Sequence, residues 1–237
     1  MIVTQPVRTF SLAAIPADLT VLTDETSVSG WQAEPQSLSA TGTHFGFVVS
    51  GKVCVHSAFI SDFVMPTGSY FSLTGPVDLI PQSPDSAGIV ITRLGYEGFN
   101  HLGGPVEKQG RLKYIDGCTD SLLIAPPRKG DACLNLLHFP PHTDQTMHSH
   151  PSIRCGVVAT GNGWCAGDIG TLPLETGMGF VIPADAMHKF QTGNGSMTVI
   201  AYHPDSDFGP DDDNHPMINR TIVDGQSARY NAGIRTR

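Results

Sequence analysis

Apolar and polar positions along this chain alternate in short runs. The clearest apolar runs are 44–50 (HFGFVVS), 52–60 (KVCVHSAFI), 88–94 (GIVITRL), 133–139 (CLNLLHF), 154–160 (RCGVVAT), 178–182 (MGFVI) and 197–202 (MTVIAY). Their length and β-branched content predict strands. Turn signals lie at 50–52 (SGK), 66–68 (PTG) and 161–163 (GNG). No stretch of 12 residues keeps a helical apolar period without a Gly or Pro breaking it. The expected fold is therefore all-β, a sandwich or barrel.

The pattern also repeats. HFGFVVSGK at 44–52 resembles RCGVVATGN at 154–162, with Gly46, Val48 and Gly51 matching Gly156, Val158 and Gly161 at an offset of 110. TGSYF at 67–71 resembles TGMGF at 176–180 at an offset of 109. Two copies of one β-unit are expected, over 1–110 and 111–210, with a tail over 211–237. The Gly-rich, polar stretch 105–120 fits the boundary. The tail is poor in apolar residues and is expected to pack across a surface or to be partly disordered.

Composition narrows the function. The 237 residues carry 14 Lys+Arg against 22 Asp+Glu, a formal charge of −8, with 26 Gly and 18 Pro. An acidic chain without a basic stripe argues against nucleic-acid binding. No run of 18 apolar residues predicts a membrane span, and the first ten residues lack a signal-peptide core. A cytoplasmic location is the expectation. The five cysteines, Cys54, Cys118, Cys133, Cys155 and Cys165, form no CxxC pair and read as buried thiols. There is no P-loop, no GxGxxG after a strand and no GxSxG elbow.

The candidate chemistry lies in the second copy. His148 and His150 are spaced i, i+2, which on extended backbone puts both imidazoles on one face. His188 follows 38 residues after His150, past a turn. Three neutral imidazoles form a donor set for Fe, Zn, Ni, Cu or Mn.

The segment 141–161 (PHTDQTMHSHPSIRCGVVATG) resembles the first cupin motif, and 177–188 (GMGFVIPADAMH) the second. Weaker echoes run through 31–100. The resemblance implies two jelly-roll barrels in tandem, a bicupin, with one divalent metal on His148, His150 and His188. Fe2+ is the first expectation and Zn2+, Ni2+ or Mn2+ the alternatives. It also leaves a homodimer as an expectation.

Two positions depart from the motifs. The usual Glu is Arg154, a permanent cation that cannot ligate metal. The resemblance turns it toward the barrel interior, either as an anchor for a substrate carboxylate or as part of a structural ion pair. The usual Gly after Pro-x is Asp185, which tolerates turn geometry. Gln145 is a candidate oxygen ligand or partner of a metal-bound water. His142 and His138 are candidate bases. In the first copy, Leu38 and Ala40 replace HxH, His44 stands at the Glu position, and the counterpart of His188 falls near Leu79. That copy is expected to have lost its site. His56, His101, His203 and His215 are read as ordinary residues.

Three functions follow as expectations. The first is a three-His Fe(II) dioxygenase for a small carboxylated or chelating substrate, resembling gentisate-type and diketone-cleaving cupins. The second is a Zn or Ni Lewis-acid isomerase, cyclase or lyase. The third is a non-catalytic metal- or small-molecule-binding cupin.

Overall fold

A computed structural model describes residues 6–15, 21–23, 25–38 and 41–234. The first half contributes β1 (Arg8–Ser11), β2 (Val21–Thr23), β3 (Thr26–Gln32), β4 (Gln36–Leu38), β5 (Gly42–Ser50), β6 (Lys52–Ser57), β7 (Ile60–Pro66), β8 (Tyr70–Thr74), β9 (Val77–Pro81), β10 (Ala87–Leu94) and β11 (His101–Gly103). The second contributes β12 (Leu112–Lys113), β13 (Thr119–Ile124), β14 (Cys133–Phe139), β15 (Arg154–Gly167), β16 (Gly170–Glu175), β17 (Met178–Ile182), β18 (His188–Gln191) and β19 (Met197–His203). Helix α1 (Pro216–Arg220) and a small hairpin of β20 (Ile222–Val223) and β21 (Gln226–Ser227) follow. The fold is all-β, as the alternation predicts.

Two expected features differ in detail. The run 52–60 is two strands, because the chain turns at Ala58–Phe59 between β6 and β7. GNG at 161–163 does not end a strand. Gly161, at φ 80°, bends β15, which then continues to Gly167. Before the bend β15 pairs with β17 and β19; beyond it, with β16 and β18. Gly51, at φ 67°, makes the same corner between β5 and β6. A side chain there would strain the backbone.

The sheets run in the order β11-β8-β5-β10-β3-β2 and β4-β9-β6-β7 in the first half. In the second half the order is β1-β17-β15-β19-β14-β13-β12, with β16 and β18 on β15. Strand β1, from the start of the chain, thus lies in the second half's sheet, with Thr9 opposite Phe180. In the first half the corresponding place beside β8 is taken by β11.

Three apolar clusters result. Val48, Phe71, Leu73 and Val90 fill the interior of the first half. Phe139, Val158, Phe180 and Val199 fill that of the second. Between the halves lies a third cluster, with Phe45, Phe47 and Ile91 from one side and Leu136, Cys155, Val157 and Tyr202 from the other. The rings of Phe45 and Tyr202 meet at 5.1 Å across it. This explains why β5 reads as a nearly unbroken apolar run: both of its faces are buried. The tail is a short helix, the hairpin and two 3-10 turns, mostly exposed, with Ala228 tucked in at 4% exposure. Among the described residues no helix is long and apolar enough to cross a membrane.

Candidate metal centre

His148 and His150 lie on an extended segment that runs antiparallel to β18. Asp144 bridges to Gln191, and His148 bridges to His188. The backbone bonds between His148 and His188 measure 3.0 and 2.8 Å. The register slips by one residue between the two bridges. The Phe190 N–H, which this bulge deprives of a backbone acceptor, donates instead to Gln145 Oε1 at 3.1 Å. Downstream, the Asp185 N–H donates to the His150 carbonyl at 2.7 Å. Asp185 holds φ 61°, the left-handed turn geometry expected of it.

The three imidazoles converge as the spacing predicts. Their potential ligand atoms lie within 4.8 Å of one another, and their ring centroids are 4.5 to 5.2 Å apart. His148 Nδ1 sits 2.8 Å from the Thr146 carbonyl, and His188 Nδ1 sits 2.9 Å from the Ala186 carbonyl. A carbonyl only accepts, so both Nδ1 atoms carry the proton and both Nε2 lone pairs are left for a ligand. Burial lowers His188 to about 4. Burial first, then the Arg154 guanidinium and the neighbouring imidazoles, lowers His150 to about 3. Both rings are neutral near pH 7, the form in which imidazole ligates. Donor type, tautomer and convergence all fit a divalent metal.

The histidines open into a cavity of about 60 Å³. Leu137, Phe139, Phe180 and Ile182 form its apolar wall, and Arg154 and Gln145 also line it. Arg154 faces inward while Cys155 faces the cluster between the halves, as alternation requires. Its Nη1 contacts the Ser152 hydroxyl, the Ile153 carbonyl at 3.0 Å and Asp205 at 3.5 Å, whereas its buried Nε has no partner. One edge of the guanidinium is thus engaged in the structural ion pair with Asp205.

Other candidates are corrected. Gln145 is not placed as an oxygen ligand. Its Oε1 takes the Phe190 N–H and its Nε2 donates to Cys118 Sγ at 3.6 Å, so it braces the bulge. His142 is exposed on a turn at φ 62° and does not line the cavity. His138 lies on the opposite face of β14 from Leu137 and Phe139 and bonds Thr198 Oγ1 at 3.0 Å. His203, read as ordinary, does line the cavity, and burial holds its imidazole well below the usual value. Tyr114, Asp120 and Asn135 join it there and were not singled out by the sequence. Burial raises the Asp120 carboxyl to about 6. The available signal was alternation along 133–139 and 197–202, the latter one residue short of His203.

The first half holds no equivalent cluster among the described residues. Leu38 is a buried core residue, and Ala40 lies outside the described residues. Register shifts the His188 counterpart from Leu79 to Val77. Gly167 pairs with His188, and the matching Ser57 pairs with Val77. His44 is fully engaged, with Nδ1 2.8 Å from Thr92 Oγ1 and Nε2 3.0 Å from the Gly75 carbonyl. The cysteines are all free and buried. His56 pairs with Asp62, His101 stacks on Tyr70, and His215 caps α1.

No protein-family model matches the chain, and no curated protein sequence does. Solved structures do match, and they place the fold among cupin jelly rolls. A cupin 2 conserved barrel domain protein from Leptotrichia buccalis superposes with a TM-score of 0.56 at 16% identity, covering 85% of this chain and 91% of its own. A glyoxylate-induced protein from Pseudomonas aeruginosa gives 0.59 at 13%, covering 89% and 85%. A salicylate 1,2-dioxygenase from Pseudaminobacter salicylatoxidans gives 0.57 at 14%, covering 75% and 70%.

Proposed function

We propose that this protein is a metal-dependent bicupin of the dioxygenase type, holding one divalent ion, Fe2+ by preference, on His148, His150 and His188. Its substrate is a small anionic chelator. The observation that carries this reading is the convergence of three imidazoles, two with Nδ1 tied to backbone carbonyls, on one cavity. The dioxygenase among the fold neighbours accords with it. A bound ion would supply Lewis acidity and open positions for a bidentate anion and O2. The chain's own residues supply the rest. The Thr146 and Ala186 carbonyls fix the ring tautomers. Phe139, Phe180 and Phe190 give the cavity an apolar wall. Arg154, partly balanced by Asp205, adds positive charge to its lining.

A second reading is Zn or Ni Lewis-acid chemistry, which needs a base within reach. Neither His142 nor His138 meets that need, but Asp120 lines the cavity and favours this alternative. The test is elemental analysis of the untagged protein beside His148→Ala, with O2 uptake measured on candidate anions. About one equivalent of iron, lost in the variant, together with O2 uptake is the expected result. Zinc or nickel without O2 uptake transfers the assignment to the second reading. No metal after reconstitution overturns both.

A further inference from the structure

The two carbonyls that orient the histidine rings are held in different ways. His188 Nδ1 bonds the Ala186 carbonyl, and Ala186 is closed into its own turn, its N–H 3.2 Å from the Pro183 carbonyl. His148 Nδ1 bonds the Thr146 carbonyl, but Thr146 lies where the register slips between the Asp144 and His148 bridges. Its N–H turns away from β18 and donates to Asp116 Oδ2 at 2.7 Å, and its hydroxyl lies 3.3 Å from Asp116 Oδ1.

Asp116 belongs to the segment that joins the two halves. It sits in a 3-10 turn, Ile115–Gly117, between β12 and β13. The Tyr114 N–H donates to the Cys118 carbonyl at 2.9 Å and the Cys118 N–H to the Ile115 carbonyl at 3.0 Å, which closes the turn. Asp116 holds φ 53°, a left-handed geometry that Asp tolerates and a β-branched residue does not. The same turn reaches the metal-binding segment at a second point, where Cys118 Sγ accepts from Gln145 Nε2 at 3.6 Å. It also sets Tyr114 into the cavity wall. Residues 145 and 146, just ahead of the first ligand, are therefore both tied to one turn. The Gln145 contact is buried and the Asp116 contact exposed, so Asp116 can be changed without opening the core.

We propose that Asp116 is a positioning residue of the metal centre. Its carboxylate sets Thr146, and the Thr146 carbonyl sets the ring of His148. This rests on the three-histidine reading and extends it to the segment between the halves. Groups that orient a ligand from behind commonly govern metal affinity. Two exposed hydrogen bonds to a carboxylate, acting through one intermediate residue, set the scale at about three- to tenfold in affinity.

The test is titration of the metal-free full chain with Co2+, read by the visible d–d band of the bound ion. Asp116→Gly removes the carboxylate and accepts the left-handed φ without strain. It is expected to lower Co2+ affinity about three- to tenfold and to shift the band at saturation. Asp116→Asn keeps an acceptor for the Thr146 N–H and a partner for its hydroxyl but carries no charge. It is expected to match the wild type in both readouts. Asp116→Ala repeats the measurement should the glycine variant fail to fold. Unchanged affinity without the carboxylate overturns the proposal. So does an Asn variant that loses as much as Gly, because the charge and not the contact would then be acting. A lowered affinity with an unaltered band also overturns it, as a general loss of order that leaves the ligand geometry intact. His148→Ala separates the proposal from the metal reading. If Co2+ uptake depends on His148 while the Asp116 variants bind like the wild type, the proposal fails alone. If the wild type takes up no Co2+, or uptake survives His148→Ala, the metal reading fails and the proposal with it.

Discussion

Gly156 faces the interior of the second half, where an added Cβ would come 1.9 Å from the Ile200 carbonyl oxygen. The Ile200 backbone and the buried Phe180 ring, 2.9 Å from that Cβ, leave it no room, so Gly156→Ala is expected to cost more than about 2 kcal/mol by overpacking. Chemical denaturation would show it as a lowered midpoint at an unchanged slope. Asp120 sets a different expectation. Its carboxyl is raised from 3.8 to about 6 by burial, so the folded state holds the proton more tightly than the unfolded one. The contribution is fully present below about pH 4 and is lost as pH rises through about 6. The side chain is only half-buried, and solvent screening reduces the effect to about 1 kcal/mol. Asp120→Asn should match the wild type at pH 4 and exceed it by about that amount at pH 7.

At the scale of elements, β1 makes the clearest prediction. Phe10 is 4% exposed and joins the cluster between the halves, while its strand covers the edge of β17. Phe10→Ala is expected to cost about 3–5 kcal/mol, and deleting the chain before Leu12 should lower the melting temperature further and expose β17 to dye binding. The same scale shows what the sequence could reveal. HxH was legible because extended backbone has a period of two, and His188 because its turn is marked by Pro183 and Asp185. Strand identity was legible wherever apolar runs were flanked by turns. Asn135, Asp120 and His203 were not, because their shared cavity depends on which strands pair and in which register. Val77 replaced Leu79 for the same reason. Gln145 misled because its amide answers a bulge in the partner strand's hydrogen bonding, which no linear spacing encodes.

The molecule as a whole is joined through the apolar cluster between its halves, to which β3, β5, β10, β14, β15 and β19 all contribute. Removing either half would expose Phe45 and Phe47, or Tyr202 and Leu136, to water at a cost of about 1.5–3 kcal/mol for each large side chain. The halves are therefore expected to melt together. Scanning calorimetry should give one transition whose calorimetric and van't Hoff enthalpies agree; two separable peaks would show independent halves.

The position of β1 bears finally on biosynthesis. Arg8–Ser11 is made some 170 residues before its partner Met178–Val181. At about 5–20 residues per second, that strand waits roughly 10–30 seconds on the ribosome without its neighbour. During that interval Phe10 is an apolar group in search of cover, and nascent-chain chaperones would meet it first. Moving the residues of β1 to the far end of the gene, by circular permutation, would shorten the wait without altering a single contact of the finished fold.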